Sequence, residues 1–214
     1  MRVVVDAFGG DNAPLEIIKG ASDASMEYGT EITLTGNEEK IRQIISENGL
    51  EFHGELKIVH TEDIISMHDD PTSLMKAHSG SSMALAFKEL AEDRADAFVS
   101  AGSTGALVVG GTLMIKRIKG IKRPALAGMI PSPNGHYMLM DMGANAECKP
   151  EMLCQFGIMA SVYLENVEGR KNPSVGLLNI GTEDSKGGEL QKAAYALMKE
   201  APINFAGNIE SREM

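Results

Sequence analysis

The sequence has few of the residues that build metal sites, disulfide frameworks or nucleic-acid surfaces. Its two cysteines, Cys148 and Cys154, are too few for a disulfide framework and lack metal-ligand spacing, and its five histidines form no HExxH-type pair. We therefore expect no metal and no cofactor. A formal net charge of -10 argues against nonspecific binding to nucleic acid, which requires a basic surface.

Long apolar runs are also missing. No segment approaches the roughly 20 apolar residues that a transmembrane helix needs. The first residues, MRVVVDAFGGD, indicate a strand and a turn without the apolar core of a signal peptide, so we expect a cytoplasmic protein. The 214 residues, 43% hydrophobic and 23% charged, fit one soluble α/β domain over 1–214, or a main domain with a small subdomain.

Strand and helix signals alternate along the chain. Apolar runs predict strands over residues 2–7, 31–36, 56–61, 95–102 and 175–181, with helical segments between them, one of which is predicted over residues 104–120. PALAGMIPS and HYMLMDMG predict two more strands around the turn Pro133-Asn134-Gly135, and INFAGNI predicts a last one. Continuously apolar runs such as VVV are typical of parallel strands covered on both faces. The pattern predicts an α/β fold with a doubly wound, mostly parallel sheet and helices on both faces.

Four loops at predicted strand ends are rich in small and polar residues. They span residues 9–12, 100–105, 141–150 and 179–188. Small residues let the backbone approach a ligand, and amides at a helix N-terminus favour an anion. A single loop of this kind is also explained by a tight connection with a helix cap. Because ligands of such sheets collect at the carboxyl ends of strands, four such loops indicate a binding site.

Established nucleotide and hydrolase motifs are not found. The segment from Gly105 to Thr112 has the glycine and threonine spacing of a Walker A loop, but Gly111 stands where lysine is required. No GxGxxG follows the first strand, and GxSxG is absent. The small-residue loops therefore match neither a P-loop, nor a dinucleotide fingerprint, nor a nucleophile elbow.

Seven segments, in order, resemble phosphate acyltransferases of the PlsX type. They are VDAFGGDNAP, DDPTSLMKAHSGSSMALA, SAGSTGAL, RPALAG, DMGANAECKPEMLCQFGIMASVY, VGLLNIGTEDSKGGEL and FAGNIESRE, and together they cover essentially the whole chain. The resemblance implies a fold related to the isocitrate and isopropylmalate dehydrogenases and to phosphotransacetylases. It also implies a homodimer that moves a fatty acyl group from acyl carrier protein to inorganic phosphate, at the start of bacterial phospholipid synthesis.

The chain also departs from the family pattern. Ser103 stands where family members usually have Asn, Ser211-Arg212-Glu213 replaces Gly-Arg-Asp, and Met75-Lys76-Ala77-His78 is less basic than usual. Family members continue well past residue 214. We therefore expect this chain to lack the family's C-terminal part, including helices tied to dimerisation and to peripheral contact with the membrane.

The implied reaction, attack of phosphate on a thioester, assigns roles to residues of the four loops. We predict catalytic roles for Lys186, Lys149, Asn145 and Asp11. Substrate contacts are predicted for Gly9, Gly10, Asn12, Ser100, Gly102, Ser103, Thr104 and Asn179. The lysines would neutralise phosphate or the developing oxyanion, although each is equally explained as a solvated surface charge. Asp11 would orient a lysine or act as a base, although an aspartate here also stabilises a turn.

A cluster of basic residues is the predicted docking site for acyl carrier protein, which is acidic. It consists of Lys116, Arg117, Lys119, Lys122 and Arg123. Charge complementarity favours docking there. The same residues are also explained as cations that complement the dipole at a helix C-terminus.

Three other functions compete with this prediction. A metal- and nicotinamide-dependent decarboxylating dehydrogenase of the related fold would need acidic metal ligands and an arginine set, and neither is visible. A phosphotransacetylase would use acyl coenzyme A, and only the family resemblance favours carrier protein instead. A non-catalytic protein that binds carrier protein would show binding without phosphate-dependent turnover.

Overall fold

The computed structural model describes residues 1–133 and 135–214. The chain divides into two compact units, an N-terminal unit, Met1–Ile118, and a C-terminal unit, Lys119–Met214. One residue of the predicted turn, Asn134, lies outside the described residues. That the chain forms a single domain without the family's C-terminal part stays a prediction.

The N-terminal unit alternates strands and helices. Its elements are β1 (Arg2–Asp6), α1 (Leu15–Tyr28), β2 (Glu31–Gly36), α2 (Glu38–Asn48), β3 (Lys57–His60), α3 (Ser82–Ala91), β4 (Ala97–Val99) and α4 (Thr104–Gly110). A short 3-10 helix covers Pro71–Met75, and a π-helical turn over Gly111–Ile115 continues α4. The four strands are all parallel, in the order β3-β2-β1-β4.

The side chains of β1 explain why helices cover both faces of this sheet. Successive residues of a strand point to opposite faces. Val3 and Val5 pack with Ile18 of α1 in one buried cluster, whereas Val4, which is 0% exposed, packs with Ala86 of α3 in another. A strand buried on both faces therefore reads as an uninterrupted apolar run. The mostly parallel α/β sheet predicted from the sequence is confirmed.

Turn residues place the helix ends. The side chain of Asn37 accepts a hydrogen bond from the Lys40 amide at the start of α2. The same helix ends at Gly49, which adopts the left-handed backbone conformation that glycine tolerates best, with φ of 59°. Ser81 and Ser103 cap α3 and α4 in the same way as Asn37 caps α2.

The described residues of the C-terminal unit form two small sheets and two α-helices. Its elements are β5 (Ala127–Ser132), β6 (Gly135–Met140), α5 (Pro150–Asn166), β7 (Ser174–Leu178), α6 (Glu189–Lys199) and β8 (Asn204–Ile209), followed by a 3-10 turn, Ser211–Glu213. Strands β5 and β6 pair antiparallel, and β7 and β8 pair parallel. Buried Leu177, Ala194 and Met198 form the core between β7 and α6.

Two details differ from the sequence prediction. The strands of the described residues form three separate sheets, and β5 with β6 is antiparallel. The helix predicted through residue 120 ends at Ile115, where Lys116 turns the chain with φ of 72°. Among the described residues, no helix is long and apolar enough to cross a membrane.

Candidate active site

The loops that follow β1 and β4 meet at the carboxyl edge of the N-terminal sheet. β1 lies between β2 and β4, so the order of strands reverses between β1 and β4. Such a switch point opens a crevice where ligands of α/β proteins bind. The loops touch so closely that a Cβ atom on Gly102 would lie 3.2 Å from Gly9 Cα, and one on Gly10 would lie 3.0 Å from Ala101 Cβ. Small residues are therefore required here for steric reasons.

A buried carboxylate lies beneath these two loops. Asp6, the last residue of β1, is 1% exposed. Its Oδ2 accepts a hydrogen bond of 2.8 Å from Ser100 Oγ, and its Oδ1 accepts one of 3.3 Å from the Phe8 amide. The side chain of Ser82, at the start of α3, also favours the ionised form of Asp6 and lowers the pKa of its carboxyl group. Asp6 thus connects the loop after β1, the loop after β4 and the start of α3.

Burial is the largest influence on the pKa of Asp6. Removal from water raises the pKa of the carboxyl group above its ordinary value of 3.8, although hydrogen bonds from Ser82, Ser100 and the backbone oppose the shift. From the sequence, no catalytic or binding role is predicted for Asp6. The sequence does show a charged residue at the end of an apolar strand, which could have marked Asp6 as important. Its role was not predictable because its partner Ser100 is distant in sequence.

The start of α4 presents donors to the crevice. Ser103 is buried, and its Oγ accepts a hydrogen bond of 3.3 Å from the Ala106 amide. Within the described residues, the amides of Ser103, Thr104 and Gly105 have no hydrogen-bond acceptor, as is usual in the first turn of a helix. The Gly102 amide, by contrast, donates to Ser100 Oγ at 3.0 Å. Of the predicted substrate contacts, Thr104 is exposed at this position.

The loop after β1 carries the other predicted contacts of this unit. Gly9 is buried, and its amide donates to the Asp6 carbonyl at 3.4 Å. Gly10 adopts a φ of 117°, a backbone conformation that residues other than glycine rarely adopt. Asp11 and Asn12 are exposed at the tip of the loop. The structure therefore brings together the two loops that carry the predicted substrate contacts of this unit.

A third segment borders the same sheet edge. The Thr61 amide donates to the Gly36 carbonyl at the end of β2, and a Cβ atom on Gly105 would lie 2.7 Å from Pro71 Cγ. Within this segment His78 Nδ1 lies 2.8 Å from Asp63 Oδ1. Sequence reasoning missed this pair because 15 residues separate its members. Among the described residues, no group of three or more histidine, cysteine, aspartate or glutamate side chains is arranged to hold a metal ion.

In the C-terminal unit, Asn145 belongs to a network centred on Asp141. Asp141 accepts hydrogen bonds from the amides of Leu126, Ala144 and Asn145, at 2.8, 3.2 and 2.9 Å. The Asn145 side chain donates to Asp141 Oδ2 and to the Pro124 carbonyl. Burial raises the pKa of Asp141, but the hydrogen bonds outweigh burial and bring the net pKa below 3.8. In this structure Asn145 stabilises the loop after β6.

The Asn179 amide group is engaged in a second network. Its Nδ2 donates to Asn208 Oδ1 at 3.1 Å and to the Lys186 carbonyl at 3.2 Å, while its Oδ1 accepts from the Ile180 amide. Asn208 is 5% exposed and donates to the Glu183 carbonyl. These bonds shape the loop that carries Lys186, whose exposed ammonium group lies 3.7 Å from Glu183 Oε1. The roles predicted for Asn179 and Lys186 stay predictions.

The remaining predicted residues lie near chain segments that begin or end helices. Lys149 is exposed at the N-cap of α5. The predicted docking cluster is exposed and is divided by the unit boundary after Ile118. Lys122 approaches α5, with its Nζ 3.5 Å from Glu151 Oε2 and its amide donating to Gln155. All five basic residues follow Ile115, the last residue of the helical segment.

Solved structures with the same fold are acyl-transferring proteins. The chain matches the EutD phosphotransacetylase from Staphylococcus aureus with a TM-score of 0.68 and 16% identity, over 98% of this chain and 68% of that one. A branched-chain phosphotransacylase from Enterococcus faecalis matches with a TM-score of 0.55 and the same identity and coverage. At this identity the likeness shows the fold alone. The protein is therefore of an α/β class that the phosphotransacylases share.

The family follows from the sequence relatives. The family model described as "Fatty acid synthesis protein" matches residues 1–214, and the chain belongs to that family. It is 47% identical to a phosphate acyltransferase of Bacillus licheniformis and 45% identical to those of Bacillus thuringiensis and Bacillus mycoides. All of this chain is covered, and it spans 64% of the length of these relatives. The resemblance to phosphate acyltransferases is confirmed.

Proposed function

We propose that this chain belongs to an enzyme that transfers a fatty acyl group from acyl carrier protein to inorganic phosphate, giving an acyl phosphate for phospholipid synthesis. Relatives that match the whole chain carry the name phosphate acyltransferase. The proposal includes a homodimer, a cytoplasmic location with peripheral membrane association, and a fold related to the isocitrate and isopropylmalate dehydrogenases. A parallel sheet with helices on both faces supports the last of these.

The observation that carries the proposal is the meeting of the loops after β1 and β4. Both loops are rich in small residues, and they touch at the switch point of the sheet. At its edge lie the amides of Ser103, Thr104 and Gly105, which have no acceptor within the described residues. A compact anion such as phosphate needs backbone donors and close approach of the chain, and this crevice supplies both.

The reaction requires that the two reactants are positioned and that the negative charge of the transition state is stabilised. A phosphate oxygen attacks the thioester carbonyl carbon, a C–O bond forms, the C–S bond breaks, and carrier protein leaves as a thiolate. Because a thiol has a pKa near about 8.5, it departs with little acid assistance. Orientation of two reactants contributes several kcal/mol of the ~7–11 kcal/mol available at best. A donor aimed at the tetrahedral oxyanion contributes roughly 3–4 kcal/mol.

The predicted roles of the C-terminal unit belong to this proposal. Lys149 and Lys186 are exposed cations suited to neutralising phosphate or the oxyanion. Orientation of the carbonyl by Asn145 or Asn179 would require these side chains to exchange hydrogen bonds that now hold their own loops. Of these residues, the lysines are therefore the better candidates for direct contact.

The test uses the purified chain, long-chain acyl carrier protein and inorganic phosphate. Free carrier protein is quantified, and acyl phosphate is trapped with hydroxylamine as a hydroxamate. We expect release that depends on phosphate and is matched by hydroxamate. Release without phosphate dependence would contradict the proposal, and turnover only by a C-terminally extended form would assign the activity to a longer protein.

The donor is distinguished in the same assay. The proposal predicts that acyl carrier protein is a better substrate than acyl coenzyme A carrying the same acyl group. A preference for acyl coenzyme A would instead favour a phosphotransacetylase, whose fold this chain shares. Carrier-protein binding without turnover in either form would favour a non-catalytic binding protein.

A further inference from the structure

The buried carboxylate of Asp6 reaches the loop after β4 through the hydroxyl group of Ser100. With the carboxylate ionised, Ser100 Oγ donates its hydrogen to Asp6 Oδ2 over 2.8 Å. The lone pairs of the same oxygen then accept the Gly102 amide over 3.0 Å. The hydrogen bond to Asp6 therefore fixes the orientation of the Ser100 hydroxyl group. The Ser100 oxygen in turn fixes the position of the Gly102 amide.

Three segments converge on this carboxylate. The Phe8 amide donates to Asp6 Oδ1 from the loop after β1, and the Ser82 side chain at the start of α3 lowers the pKa of the carboxyl group. The space around the pair is filled, because a Cβ atom on Gly9 would lie 2.7 Å from Ser100 Oγ. A carboxylate that is 1% exposed is costly to bury, since its charge leaves water. Its partners offset that cost and, in doing so, are held in one arrangement.

We propose that Asp6 is a positioning residue for phosphate, acting through Ser100 to hold the loop after β4 against the loop after β1. Asp6 itself lies below the loops and does not touch the substrate. This inference rests on the proposed function, because it assigns phosphate to the crevice between the loops. Loss of the Asp6–Ser100 contact leaves the sheet in place and loosens the loop that receives the anion.

A matched buried serine separates positioning from general stability. Ser25, 0% exposed, also donates one hydrogen bond, to the Thr30 carbonyl at 2.7 Å, and accepts one, from the His53 amide at 2.9 Å. It lies near the end of α1, where β2 begins, whereas Ser100 lies beyond the end of β4. Ser25→Ala therefore removes the same number of hydrogen bonds at the opposite edge of a parallel sheet.

The experiment compares wild type, Ser100→Ala, Asp6→Asn, the double variant and Ser25→Ala. We expect Ser100→Ala to raise KM for phosphate about tenfold, the effect of losing one well-placed hydrogen bond to a charged group. KM for the acyl donor should not change. The double variant should match the more affected single variant, because both residues act through one contact. Ser25→Ala should lower the melting temperature without changing KM for phosphate.

Phosphate binding is also measured without turnover, as the rise in melting temperature on addition of inorganic phosphate. A rise in wild type that is reduced in Ser100→Ala and retained in Ser25→Ala supports the inference even where acyl transfer is not detected. An equal rise in melting temperature for wild type and Ser100→Ala would overturn the inference, and so would an equal loss of this rise in both serine variants. The proposed function still stands in either case if wild type shows phosphate-dependent acyl transfer. If wild type shows neither stabilisation nor turnover, both the inference and the proposed function are wrong.

Discussion

Gly9→Ala is expected to destabilise the protein, because the crevice has no room for a side chain at Gly9. A Cβ atom on Gly9 would lie closest to Asp6 Oδ2 and 2.7 Å from Ser100 Oγ, whereas ordinary contact begins at 3.4 Å. Both oxygens of the 2.8 Å Asp6–Ser100 hydrogen bond must therefore move away from the new methyl group, Ser100 Oγ by about 0.7 Å, and the geometry of this bond is disrupted. Overpacking costs ~1–3 kcal/mol and loss of a hydrogen bond to a charged group ~1.5–3 kcal/mol. We expect a loss of about 3 kcal/mol in the free energy of unfolding.

Urea denaturation followed by far-ultraviolet circular dichroism measures this loss, because the chain has no tryptophan for fluorescence. Gly20→Ala is the control, since a Cβ atom there meets nothing within 4 Å and the residue lies inside α1. The control should be more stable than wild type by roughly 0.5–1 kcal/mol. A Gly9→Ala protein within about 0.5 kcal/mol of wild type would refute the steric reasoning.

Three further predictions concern charged groups. Lys186→Ala should lower kcat strongly while circular dichroism and melting temperature stay unchanged, because the side chain is exposed and its ion pair with Glu183 is long, at 3.7 Å. Charge reversal at Arg117 and Lys122 together should raise KM for acyl carrier protein and leave KM for phosphate unchanged, as expected for a docking surface. Asp141→Asn should cost about 2 kcal/mol near neutral pH through weakened hydrogen bonds to the carboxylate. Because the folded pKa of Asp141 lies below 3.8, the stability it contributes should persist above that pH and disappear as pH falls through the folded pKa.

Each of these predictions has a contradicting result. Unchanged turnover in Lys186→Ala removes that lysine from the mechanism. Unchanged KM for carrier protein after the double charge reversal would contradict the docking role and leave only the helix-end explanation. Lys40→Glu combined with Lys192→Glu, at two exposed helix positions, is the control that changes the net charge by the same amount. For Asp141, the free energy of unfolding of wild type and Asp141→Asn is measured as pH falls below 3.8. A difference between the two proteins that does not shrink would show that the ionised carboxylate contributes nothing by hydrogen bonding.

Much of the fold could be predicted because its signals are local. The run VVV in β1, the cap at Asn37 and the end of α2 at Gly49 each need only a few neighbouring residues. The crevice between the loops after β1 and β4 also followed from a general rule, that ligands gather where parallel strands end. Helix formers at residues 116–119 gave the wrong end for α4, because the backbone at Lys116 departs from helical geometry despite its favourable side chain.

The contacts inside the site could not be predicted in the same way. Asp6 and Ser100 are 94 residues apart, and only the pairing of β1 with β4 brings them together. Asn179 looked suited to a substrate because its amide both donates and accepts. Its partner Asn208 lies 29 residues further on, and nothing in the local sequence marks the pair. Side-chain hydrogen bonding across strands therefore has to be read from the structure.

The central claim, that phosphate is the acyl acceptor, is tested most directly with radiolabelled inorganic phosphate. The chain is incubated with long-chain acyl carrier protein and labelled phosphate, and the label that enters acyl phosphate is compared with the free carrier protein released. If phosphate is the acceptor, the two amounts are equal and saturate together as phosphate is increased. Release of carrier protein without incorporation of label would show that water or another nucleophile accepts the acyl group, and phosphate would not be the acceptor.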